Sequence, residues 1–100
     1  MRKVYLIVVE QRMPQFEVGL QSFGIVEFAF TSKAKANEQM DVIHRMVESG
    51  EWYTRGNYII EYDSVDDSLT FKRTIKINHS NGTYTFYTLQ EVVLNSGYGI

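Results

Sequence analysis

Two histidines, at positions 44 and 79, and no cysteine are the first constraint on chemistry in this 100-residue chain. Without cysteine there is no thiolate nucleophile, no iron–sulfur cluster, no disulfide and no cysteine zinc site. A zinc ion would have to draw its remaining ligands from Asp and Glu, and the H-E-x-x-H spacing is absent. His44 falls one step beside an apolar helical stripe and reads as a boundary residue. His79 stands close to an Asn-Gly pair and reads as a strand end. The oxygen-rich run Asp63-Ser64-Val65-Asp66-Asp67-Ser68 lacks the alternating ligands and the sixth-position glycine of an EF-hand, and its twelfth residue is Thr74 rather than glutamate. It reads as a solvated turn. A G-x-S-x-G elbow, a Walker loop and a G-x-G-x-x-G fingerprint are also missing. Glu10, Glu27 and Glu61 on neighbouring strands would suit a paired-carboxylate hydrolase and suit an ordinary polar sheet face equally well. The expectation is a non-enzymatic chain with no metal and no cofactor.

What stands out instead is aromatic content: seven tyrosines, six phenylalanines and one tryptophan. Tyr, Trp and Arg are the side chains that most often anchor protein interfaces. Aromatic rings interleaved with lysine on an open sheet also stack single-stranded nucleic acid. The plain alternative is that tyrosine is a good strand former with a wet tip. The candidate binding residues are Phe16, Phe23, Trp52, Tyr53, Lys72, Arg73, Lys76 and Tyr87.

The elements that must position them follow from periodicity. Residues 4–10 are almost continuously β-branched or aromatic, as in a central strand covered on at least one face. Residues 12–24 contain Pro14, Gly19 and Gly24 and read as a long connection or functional loop. In a second strand, Ile25–Phe30, the bulk of Val26, Phe28 and Phe30 marks the core face. Thr31 or Ser32 can then cap a helix over about 33–48. Its apolar stripe is Ala36, Met40, Ile43 and Val47, and Gly50 occupies the left-handed position past its end. Lys33 and Lys35 sit at the positive end of the helix dipole, where acids are favoured.

The second half reads as strands. Asn57–Asp63 would place Tyr58, Ile60 and Tyr62 on one face. Residues 64–68 would turn. Leu69, Phe71, Ile75 and Ile77 would then alternate with polar residues, with Arg73 intruding on the apolar face. Asn81-Gly82 predicts a two-residue type I′ hairpin, pairing Ile77 with Phe86 and His79 with Tyr84, and setting Lys76 and Tyr87 together on the opposite face. Thr88-Leu89-Gln90-Glu91 has capping-box spacing and predicts a short helix, with continuation of the strand as the alternative. The tail, Tyr98–Ile100, reads as loose.

The result is an α+β fold in one domain, residues 1–100, of order β-β-α-β-β-β. An antiparallel sheet of about five strands carries one amphipathic helix on one face, with a possible short C-terminal helix. One helix cannot cover both sides, so part of the other face is left for water or a partner.

Charge narrows the partners. Ten basic against twelve acidic residues give a formal net charge of −2, without the basic excess expected of a nucleic-acid binder. The apolar run 4–9 is shorter than a signal h-region and far shorter than a membrane span. The expected location is the cytoplasm, with no membrane association.

The stretch Gly24-Ile25-Val26-Glu27-Phe28-Ala29-Phe30-Thr31-Ser32-Lys33-Ala34-Lys35-Ala36, after the strand Lys3-Val4-Tyr5-Leu6-Ile7-Val8, resembles small accessory proteins of bacteriophages and mobile elements over residues 1–48. That resemblance implies a viral protein acting by stoichiometric binding, including inhibition of host defence systems, and carries over no site residues. The leading expectation is an interaction protein that binds and modulates a host protein. A binder of single-stranded nucleic acid or nucleotide, and a homo-oligomeric structural component, are the alternatives.

Overall fold

A computed structural model describes residues 2–12, 25–51, 57–80 and 82–94. The candidates Phe16, Phe23, Trp52 and Tyr53 lie outside these residues, as do most of the 12–24 connection and the tail. The elements are β1 (Arg2–Arg12), β2 (Ile25–Phe30), α1 (Lys33–Glu48), β3 (Tyr58–Asp66), β4 (Lys72–His79) and β5 (Tyr84–Leu94). All five strands join one sheet in the order β2-β1-β5-β4-β3, antiparallel throughout. The architecture is the expected α+β arrangement, with β5 in the middle.

The helix forms where its pattern places it. Ser32 adopts extended backbone and its hydroxyl accepts from the Lys35 N–H at 3.3 Å, satisfying one orphan donor of the first turn. Ala36, Met40, Ile43 and Val47 are all buried. Gly50 closes the helix at φ +78°, a backbone that costs glycine nothing. No acid sits in the first turn. Lys33 is instead drawn away, its ammonium 4.2 Å from the Phe71 ring centre and 3.8 Å from Asp67.

Against this stripe the sheet packs Tyr5 and Ile7 of β1, Ile75 and Ile77 of β4, and Tyr87 and Leu89 of β5, with Phe71 beside them. Val9, Phe28, Phe30, Tyr58 and Ile60 close the rim. Ile7, Met40, Ile75, Ile77 and Leu89 have no solvent contact, and each buried side chain of this size contributes about 1.5–3 kcal/mol.

Four local expectations are corrected. The 79–83 hairpin is one residue longer than a type I′ turn: His79 N–H bonds the Thr83 carbonyl, Gly82 N–H bonds the His79 carbonyl, and Gly82 has φ +88°. Positive φ after the turn is the three-residue solution. It pairs Ile77 with Thr85 and Lys76 with Phe86, which turns Tyr87 inward. The predicted short helix at 88–95 is strand as far as Leu94, since β5 runs antiparallel to β1 along its whole length and Leu89 must enter the core. The 64–68 turn begins later, β3 extending to Asp66, and Leu69 stands in solvent, 95% exposed, rather than in β4. Tyr62 does not share a face with Tyr58, because β3 carries a bulge.

Both edge strands are bulged. The β1–β2 register skips Glu27, and the β3–β4 register skips Glu61. A bulge inserts one unpaired residue and reverses the alternation beyond it. That explains why Val26 is exposed although Phe28 and Phe30 pack on the core, and why Tyr62 leaves the helix side.

Candidate functional site

The sheet has a covered and an uncovered face, and the sequence-predicted residues divide between them. On the covered side, Arg73 is no surface anchor. Its Nε and Nη2 donate to the two oxygens of Asp63 at 2.9 and 2.7 Å. Its Nη1 reaches Asp41 at 2.8 Å and the Asn37 side chain at 3.0 Å. The guanidinium therefore ties β4 to β3 and to α1 in one fork, with only 11% of its side chain exposed and 15% of Asp63. Burial alone would push the Asp63 carboxyl up. The bonds from Arg73 and His44 outweigh it and hold the group below the ordinary aspartate value. Arg73 is raised by the Asp63 bond against the opposing effect of burial. His44 completes the cluster: its Nδ1 lies 2.7 Å from Asp63 and its Nε2 3.0 Å from Glu48.

His79 is held differently. Its ring nitrogens meet the hydroxyls of Thr83 at 2.7 Å and Thr85 at 2.9 Å, and Tyr58 stands edge-on at 4.7 Å. A hydroxyl donates or accepts as required, so this cradle suits a neutral imidazole. Burial lowers the His79 pKa accordingly. Thr85 has no solvent contact, so its hydroxyl is closed to any substrate and serves the fold.

Tyr87 is also a core residue, 6% exposed. Of the four predicted site residues that the structure describes, Lys72 and Lys76 lie on the uncovered face. Lys76 sits among Glu61, whose carboxylate is 2.8 Å away, and the rings of Tyr84 and Phe86 at 4.7 and 5.8 Å. The Glu61 bond raises Lys76, and the Lys76 bond followed by that from Asn78 lowers Glu61. The lysine charge is thus matched within the chain. Lys72 is exposed, opposite Asp66 in the β3–β4 register.

The residues that sequence reasoning missed are the neighbours of these lysines. Cross-strand register sets out the rows of the uncovered face: Arg2 with Leu94; Val4 with Val92; Ala29, Leu6, Gln90, Lys72 and Asp66; Val26, Val8, Thr88, Thr74 and Ser64; Glu10, Phe86, Lys76 and Tyr62; Tyr84, Asn78 and Ile59. Val4, Leu6, Val8, Phe86 and Val92 are all partly exposed, and Tyr62 is 41% exposed. Among the described residues no element packs on this side. The signal was present in the run Val4–Val9, apolar at odd and even positions alike. That pattern belongs to a strand covered on both faces.

Chemistry fares less well. Among the described residues no group of three His, Cys, Asp or Glu is placed to hold a metal ion. A groove of about 430 Å³ runs between the end of α1 and the start of β3, lined by Val47, Glu48, Ser49, Gly50, Asn57, Tyr58 and Ile59. Its one carboxylate, Glu48, already faces His44, and the Ser49 hydroxyl donates to the Met46 carbonyl. No described helix is long and apolar enough to cross a membrane. With the geometry in view, the chain was compared with known proteins: no family model, no curated protein and no solved structure matches it.

Proposed function

We propose that this chain is a small non-enzymatic interaction module that docks a protein on its uncovered sheet face. One observation carries the reading: Val4, Leu6 and Val8 line β1 in register with Val92, Gln90 and Thr88 of β5, on the side that α1 does not cover. A contiguous apolar strip with a polar and aromatic rim is the composition of a protein-docking surface. The charge arrangement favours protein over nucleic acid. Arg73 is turned into the covered side, and Lys76 is matched by Glu61. Among the described lysines of this face, Lys72 alone is left without a carboxylate shown at bonding distance, little with which to release counterions from phosphates. The resemblance over residues 1–48 supports the wider form of the proposal, a phage-encoded accessory protein that modulates a host protein.

The test is capture from bacterial lysate by the immobilised chain, compared with Leu6→Glu on the uncovered face and Glu38→Lys on the exposed side of α1. Circular dichroism confirms that each variant is folded. The wild type and Glu38→Lys should recover the same stoichiometric protein, and Leu6→Glu should lose it. Recovery unaffected by Leu6→Glu would overturn the reading.

A further inference from the structure

We draw no further inference here: the strongest candidate, the apolar strip of Val4, Leu6 and Val8 on the uncovered sheet face, is the docking surface already described, and nothing in the structure shows what covers it.

Discussion

On the covered face Ile7 has no solvent contact, while Val8, the next residue along β1, is partly exposed on the other. The same contrast separates Ile75 from Thr74 and Leu89 from Thr88. Hydrophobicity does not explain it, since Val8 is nearly as apolar as Ile7. What differs is the presence of α1. Under the helix, polar groups are retained only with full partners, as with Arg73 forked between Asp63 and Asp41 and His79 set between two threonines. On the uncovered face lysine, glutamate, glutamine and valine stand side by side in the same rows, because water serves whatever the chain does not. One face is finished by folding and the other by water.

That contrast can be broken most forcefully by truncation. Ile75→Ala should cost about 2–5 kcal/mol in urea denaturation. Val8→Ala, measured on dilute protein, should cost no more than about 1 kcal/mol. Equal losses would mean that both faces are closed. The next largest effect is expected at the fork. Arg73→Met leaves Asp63 buried against the sheet without its bidentate partner and should cost about 3 kcal/mol, near the lower end for breaking a largely buried pair. Arg73→Lys should restore little of it, because an ammonium cannot span both carboxylate oxygens while also reaching Asp41.

A subtler effect separates two covered-face groups by pH. His79 has a folded pKa below its ordinary value, so between that pKa and about 6.5 the unfolded chain binds a proton that the folded chain does not. Its contribution is full above about 6.5 and is lost as pH falls through the folded value. Asp63 is also depressed, so its contribution is full above about 3.9 and is lost at lower pH. Thermal denaturation of the wild type should therefore weaken in two steps on acidification. His79→Gln should remove the upper step and leave the lower one. A single acid limb, unchanged by His79→Gln, would show that the threonine cradle does not select the neutral ring.

The helix was legible in the sequence down to its four buried residues, with its cap narrowed to Thr31 or Ser32, because a 3.6-residue stripe, a hydroxyl and a glycine are all local signals. The strand count and chain order were legible for the same reason. What the sequence concealed was parity. A hairpin one residue longer than Asn-Gly suggests moves Tyr87 from one side of the sheet to the other, and a bulge at Glu61 does the same to Tyr62. Alternation carries no memory past such a point, so each face assignment downstream inherits the error. Arg73 was visible as a polar intruder on an apolar face. Its partners lie ten and more residues away in the chain, and no spacing rule connects them. Lys72 and Lys76 were placed on the correct side, but the apolar strip beside them lies in a run that reads only as covered on at least one face, without saying which residues stay exposed.

The two skipped glutamates have a consequence for assembly. An edge strand offers unpaired amides and carbonyls to any passing chain. At each margin of this sheet, a newcomer would slip out of step at Glu27 or Glu61 and meet a carboxylate there. Open-ended stacking into fibres through the sheet edges is thereby disfavoured at both margins.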